Sequence, residues 1–115
     1  MCIGERFAVV CLASIDDKKE RKNVLMHLKQ DGKQIIDISQ SQVHQFAGNM
    51  LQLKGRDEIP YLVMSQSAFD CLESTQIKVL ENHGSIISSP LPTIEACGGG
   101  SARCMMAEIF LPKAT

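Results

Sequence analysis

Short apolar runs alternate with longer amphipathic stretches along the whole chain, and this alternation predicts a mixed α+β fold. The apolar runs are bounded by Gly, Pro, Asn or Ser and are rich in branched residues, which is typical of β-strands. The first run follows a predicted turn at Gly4 and Glu5, so we expect the chain to begin inside a hairpin whose first strand is a stub. We predict strands at residues 7–13, 34–38, 49–53, 61–64, 86–87 and 106–111.

The stretches between these runs have apolar residues at helical spacing and recognisable helix caps. The longest predicted helix has Ser14, Asp16 and Asp17 as candidate N-caps, with Glu20 in capping-box spacing from Asp17. It continues to about Gln30 before Gly32 stops it. His83 is expected near a helix C-terminus, where a cation interacts favourably with the helix dipole. Shorter helical segments are predicted at residues 42–47, with Val43 and Phe46 facing inwards, after Ser65 or Ser67, around Ile77 and Leu80, and after Thr93.

The order of predicted elements occurs twice, at an offset of about 51 to 55 residues. Residues 9–11 correspond to residues 62–64, residues 35–36 to residues 86–87, and residues 48–50 to residues 103–105. We therefore predict one domain, residues 1–115, made of two modules. The first module covers residues 1–57 and has an incomplete N-terminal strand; the second covers residues 58–115.

Composition and charge narrow the classes of function. Hydrophobic residues make up 44% of the chain and charged residues 22%, as expected for a globular domain. The formal net charge of -1 gives no reason to expect a nucleic-acid or membrane partner. The five cysteines form no C-x-x-C pair and no Cys/His zinc spacing. We therefore expect reduced thiols, no metal or cofactor, and a cytoplasmic location.

The most informative stretch for chemistry is the glycine run at Gly98, Gly99 and Gly100, which leads to Cys104 and then to an apolar run. Glycines permit positive φ and close approach of another group to the backbone. A thiol at such a junction can be held rigidly at the rim of a pocket and act as a nucleophile. The alternative, an inert core thiol, is the commoner situation for a cysteine beside apolar residues.

Three segments resemble a known family. Residues 95–112, with the sequence EACGGGSARCMMAEIFLP, are similar to the C-terminal end of the amidinotransferase, or pentein, superfamily. Residues 46–51 and 62–65 resemble its citrullinase-like amidinohydrolase branch. The family fold is a closed ring of ββαβ modules, a form of α/β-propeller, around a central site. The resemblance therefore implies that this chain is an incomplete ring equivalent to the last two modules.

The resemblance also implies roles for individual residues. Cys104 matches the nucleophile that attacks the central carbon of a guanidino or ureido ligand. Asn49 occupies the repeat-equivalent position in the first module and is expected to face the ring centre. The residues expected to line the pocket with Asn49 are Gly98, Gly99, Gly100, Ser101 and Arg103.

The family also uses a histidine as acid/base and acidic residues that bind the guanidinium group. By the resemblance, the histidine belongs to a His-Thr-Asn segment upstream of Met1, and the acidic residues belong to earlier modules. His44 is the local candidate for a substitute base, and its alternative interpretation is a solvent-facing helix residue.

Two hypotheses follow for the function. In the first, the chain is a truncated, non-catalytic pentein-like protein that retains a vestigial Cys104. In the second, it is an amidinohydrolase completed by another chain or by self-association. We expect a homodimer in either case, because unpaired strand edges and apolar module faces favour association. The expected face includes residues 1–7 and the strands at residues 7–12 or 106–111.

Overall fold

Two three-stranded sheets form the framework of the computed structural model, which describes residues 1–114. The strand order is β1-β2-β3 in the first sheet and β4-β5-β6 in the second. The mixed α+β fold is therefore confirmed, and two sheets are what the resemblance implies for two modules. The strands are β1 Cys2–Ile3, β2 Phe7–Val10, β3 Gln34–Asp37, β4 Leu51–Lys54, β5 Pro60–Ser65 and β6 Ser85–Ser89.

Both sheets have the same topology. In each, the middle strand pairs antiparallel with the strand before it and parallel with the strand after it. Val9 pairs with Ile36 in the first sheet, and Val63 pairs with Ile87 in the second. The repeat is thus real, but the predicted correspondence of the middle strands was wrong by one residue, because Val9 matches Val63.

Five α-helices connect the strands. Asp17 caps α1 by accepting hydrogen bonds from the backbone N–H groups of Lys19 and Glu20, both at 2.8 Å, as the cap prediction required. Ser65 caps α3 in the same way, through the N–H of Ala68 at 3.1 Å. The helices are α1 Lys18–Gln30, α2 Gln40–His44, α3 Gln66–Cys71, α4 Ser74–Glu81 and α5 Pro92–Gly98.

Helix α2 buries a different face from the one predicted. Ser39 and Gln42 form a capping box that starts the helix before residue 42. Gln42 is consequently buried, whereas Val43 is 40% exposed. The prediction that Val43 faces inwards was wrong, because a polar network takes the inward position.

Residues 106–111 form no strand, so the prediction of a last strand there was wrong. β1 and β4 are each held by a following strand, whereas no later strand in the described part of the chain is available to residues 106–111. Ile109, Phe110 and Leu111 are 82%, 87% and 80% exposed. We refer to residues 106–114 as the C-terminal tail.

One hydrophobic core joins the two sheets. Phe7 and Val9 of β2 and Leu62 and Met64 of β5 are fully buried in the same cluster, together with Met50, which precedes β4. Because β2 is buried along its whole length, it is not available as the dimer face that the sequence suggested. Burial of large apolar side chains contributes about 1.5–3 kcal/mol each, so this shared core dominates the stability of the chain.

Two glutamines carry a polar connection between the sheets. The Nε2 of Gln42 donates to Gln76 Oε1 at 2.7 Å and to the Cys71 carbonyl at 2.9 Å. The Nε2 of Gln76 in turn donates to the Asp37 carbonyl at 2.9 Å. The network ties the end of β3 to the α3 and α4 region and fixes the two modules relative to each other.

His83 provides an aromatic connection at the same junction. Its ring lies 4.9 Å from that of Phe7, and its Nε2 is 2.8 Å from Gln34 Oε1. Burial lowers the pKa of His83, and the nearby positive charge of Arg6 lowers that pKa further. His83 does follow the C-terminal end of α4, as predicted, but the expected cation is disfavoured there, because burial beside Phe7 and the charge of Arg6 lower its pKa.

No helix among residues 1–114 combines the length and the apolar character that crossing a bilayer requires.

We expect Gln42→Ala to lower the free energy of unfolding by about 1–3 kcal/mol, because it removes the donor to the Cys71 carbonyl and to Gln76 and the acceptor of the Ser39 N–H. Denaturant unfolding followed by circular dichroism measures the change. The control is Gln45→Ala, since Gln45 lies in the same segment but is exposed. Equal stability of the two variants would contradict a role for the glutamine network.

Candidate active site

Cys104 lies in a single 3-10 turn, Ala102–Met105, directly after the glycine run. Helix α5 ends at Gly98, and Gly99 adopts φ +68°, a conformation that glycine reaches without strain. The turn is closed by a hydrogen bond from the Cys104 N–H to the Ser101 carbonyl at 3.1 Å. The thiol is exposed, so another molecule can reach it.

Gly100 is the member of the glycine run that touches the thiol. A Cβ at this position would lie 3.0 Å from Cys104 Sγ and 3.2 Å from Cys104 Cβ. Any larger residue would therefore press against the nucleophile candidate. A Cβ built on Gly98 or on Gly99 would have no atom within 4 Å beyond the adjacent backbone. These two residues therefore face open space.

Asn49, in the loop that leads into β4, contacts Cys104 in the 3-10 turn. Its Oδ1 accepts a hydrogen bond from the backbone N–H of Arg103 at 3.1 Å, and its Nδ2 donates to Cys104 Sγ at 3.2 Å. A hydrogen bond from the Asn49 N–H to the Phe46 carbonyl, at 2.9 Å, holds the loop before β4. Of the predicted site residues, Asn49, Gly100, Ser101 and Arg103 thus gather around Cys104.

The environment of Cys104 favours the thiolate. The hydrogen bond from Asn49 lowers the pKa of Cys104, and a backbone hydrogen bond with Ser101 and the charge of Arg103 lower that pKa further. Cys2 and Cys71 differ from Cys104, because burial raises the pKa of each of these two thiols. Since the thiolate is the nucleophilic form, Cys104 is better suited to attack than either of those thiols.

Glu95 stabilises the start of the 3-10 turn that contains Cys104, although the sequence pattern assigned it no role. Its Oε1 accepts a hydrogen bond from the Ser101 hydroxyl at 2.7 Å. Burial raises the pKa of Glu95, but nearby serine hydroxyls, with the Ser101 hydrogen bond among them, outweigh that effect and leave the pKa lowered. The sequence pattern did not identify this contact, because Glu95 and Ser101 are brought together by the glycine run between them.

Arg103 lies between two thiols. Burial raises the pKa of Cys2, and the positive charge of Arg103 partly counteracts that effect; the same charge lowers the pKa of the exposed Cys104. Arg103 additionally lines an open groove of about 890 Å³ between the C-terminal tail and the β1 and β4 strands. Cys104 is not part of the lining of that groove, so the thiol faces solvent beside it.

His44, the candidate for a substitute base, is the exposed last residue of α2. Among residues 1–114 no histidine donates to or accepts from the Cys104 thiol, and His83 is engaged with Gln34. The same residues hold no group of three or more His, Cys, Asp or Glu side chains that would bind a metal ion. The site therefore offers a nucleophile and hydrogen-bond donors, but no acid/base in contact with the thiol.

We expect alkylation to rank the thiols by exposure and pKa. Iodoacetamide at neutral pH should modify Cys104 well before Cys2 and Cys71, because Cys104 is exposed and its lowered pKa increases the thiolate fraction. Mass-spectrometric site mapping over time measures the order. Cys97, which is also exposed, serves as the internal reference. Labelling of Cys2 or Cys71 ahead of Cys104 would contradict this description of the site.

A family model described as "N,N dimethylarginine dimethylhydrolase, eukaryotic" matches residues 1–111. No curated protein and no solved structure matches the chain. The family match agrees with the Gly-rich Cys104 segment and confirms the predicted relation to pentein-superfamily amidinohydrolases. Since the match covers nearly all of the chain, this protein belongs to the N,N dimethylarginine dimethylhydrolase family.

Proposed function

We propose that this chain carries the nucleophile of an amidinohydrolase site, with Cys104 directed at a guanidino carbon such as that of N,N-dimethylarginine. The observation that carries the proposal is the exposed Cys104 thiol, held in a glycine-preceded turn and hydrogen-bonded so that its pKa is lowered. The family match supplies the substrate class. Gly100, Ser101, Arg103 and Asn49 are the proposed neighbours of the reacting carbon.

The proposed reaction has two stages. The Cys104 thiolate forms a C–S bond to the guanidinium carbon, and the C–N bond to the dimethylamino group then breaks as that nitrogen takes up a proton. Dimethylamine leaves, and the remaining amidino group is attached to sulfur as a thiouronium. Water then adds to the same carbon and loses a proton, and the C–S bond breaks to return the thiolate and release a ureido product.

Both stages need a group that moves a proton. The leaving amine must gain a proton in the first stage, and the attacking water must lose one in the second. A positioned acid/base contributes on the order of 100-fold to 10,000-fold, and no histidine in the described chain contacts Cys104. We therefore propose that the chain alone is non-catalytic and that Cys104 acts only when another group supplies the acid/base.

The alternative proposal is that a second chain, or another copy of this chain, completes the site. The exposed position of Cys104 supports it, because groups from outside can approach the sulfur without displacing the core. The open groove beside Arg103 would admit a small guanidino or ureido ligand by its size.

We also propose a reducing, cytoplasmic location for the chain. All five cysteines are free thiols, and two of them, Cys2 and Cys11, are packed in the core. Free thiols persist where glutathione and thioredoxin keep proteins reduced.

Self-association is a further proposal, and the C-terminal tail supports it. Ile109, Phe110 and Leu111 are consecutive apolar side chains, each at least 80% exposed. Contiguous apolar surface of this kind is commonly covered by a partner, and a two-fold contact is the commonest arrangement between identical chains.

We expect no dimethylamine release above background when the isolated chain is incubated with N,N-dimethylarginine. The reason is the absence of an acid/base beside the nucleophile in residues 1–114. Chromatographic quantification of the amine checks the result, with Cys104→Ala as the matched control. Multiple turnovers in the parent chain that disappear in Cys104→Ala would contradict the non-catalytic proposal and support the completed-site alternative.

We expect sedimentation equilibrium at micromolar concentration to give about twice the monomer mass of 12.7 kDa. Phe110→Asp should shift the chain toward monomer, because it introduces a charge into the exposed apolar tail. Met26→Asp is the control, since Met26 is an exposed apolar residue of α1 outside the tail. A single species at monomer mass for the parent chain would rule the dimer out.

A further inference from the structure

The Asn49 carboxamide spans the backbone and the side chain of the nucleophile turn at the same time. We propose that Asn49 is a positioning residue that fixes the Cys104 sulfur and holds it as the thiolate. This inference rests on the proposed function only in taking Cys104 as the reacting group. It assigns to the side chain before β4 a role in the reactivity of a thiol that lies 55 residues later in the chain.

The orientation of the carboxamide follows from its partners. Only the carbonyl oxygen of an Asn side chain can accept a hydrogen bond, so Oδ1 must face the Arg103 N–H at 3.1 Å. Nδ2 is thereby turned toward Cys104 Sγ, which lies 3.2 Å away. An N–H group facing sulfur stabilises the charged thiolate more than the thiol, because the thiol is a weak acceptor.

The carboxamide is also held in place by its own module. Met50, directly after Asn49, is fully buried in the shared core. Phe46, at the turn before Asn49, adopts a φ of +65°. The Asn49 N–H donates to the Phe46 carbonyl at 2.9 Å. The donor is therefore fixed by the fold before any ligand arrives, which is the condition for preorganised stabilisation of a charge.

Groups other than Asn49 contribute less to the lowered pKa of Cys104. Asn49 is the largest single cause of the lowered pKa of Cys104, ahead of the charge of Arg103. The charge of Arg103 also acts on the Cys2 thiol, so it does not act on Cys104 alone. We therefore expect removal of the Asn49 amide to raise the pKa of Cys104 even though Arg103 keeps its positive charge.

The test compares Asn49→Ala with Asn49→Asp in the full chain. The rate of Cys104 alkylation by iodoacetamide is measured against pH, with mass spectrometry identifying the modified site. We expect Asn49→Ala to reduce the rate at neutral pH about threefold, and Asn49→Asp to reduce it about tenfold. The aspartate loses the donor and adds a negative charge, so its profile should move furthest toward high pH.

This order separates positioning of the thiolate from a merely structural role. Aspartate has nearly the shape of asparagine and keeps the acceptor for the Arg103 N–H, so a structural role predicts that Asn49→Asp is the milder change. Asn23→Ala is the control, because Asn23 is an exposed residue of α1. An Asn49→Asp profile equal to that of the parent chain, or shifted less than that of Asn49→Ala, would overturn the proposal.

A measurement on the parent chain covers the case in which the variants fail to fold. The side-chain amide resonance of Asn49 is followed by nuclear magnetic resonance across the Cys104 titration. We expect it to move with the same midpoint as the alkylation profile, because the acceptor changes from thiol to thiolate. A resonance that does not respond would overturn the proposal. Neither experiment depends on hydrolysis, so an inactive chain leaves both results interpretable.

Discussion

Packing of two small sheets on one shared core is the constraint on which the rest of the structure depends. Each sheet has three strands and, alone, could bury little apolar surface. Phe7 and Val9 from the first sheet and Leu62 and Met64 from the second share one cluster, so neither module is expected to be stable without the other. The same packing brings the loop before β4 against the glycine-preceded turn, where Asn49 and Cys104 meet.

Local features of the fold were predictable from the sequence because they depend on nearby residues. The Asp17 and Ser65 caps use backbone groups two or three residues away, and the sequence indicates them directly. The succession of a strand, a helical connection and a second strand, present at residues 7–37 and again at residues 60–89, also followed from the repeat. Features that depend on distant partners were missed. Gln42 displaced Val43 from the interior through contacts with Cys71 and Gln76, which no local pattern encodes.

The tail illustrates the same limit for strands. Residues 106–111 have the composition of a strand, but a strand needs a neighbour to accept its backbone hydrogen bonds, and none of the six described strands pairs with these residues. Within the candidate site, Asn49 was predictable because the repeat put it at the position equivalent to Cys104. Glu95 was not, because its contact with Ser101 depends on how the glycine run between them ends α5, which no residue pattern indicated.

The central claim is that the fold of this chain prepares the Cys104 thiolate before any substrate or second chain is present. The most direct measurement is the ultraviolet absorbance of thiolate against pH, taken as the difference between the parent chain and Cys104→Ala. A Cys104 titration midpoint clearly below that of a free cysteine peptide is the predicted result, with Cys2 and Cys71 titrating later. A midpoint equal to or above that of the peptide would contradict the claim.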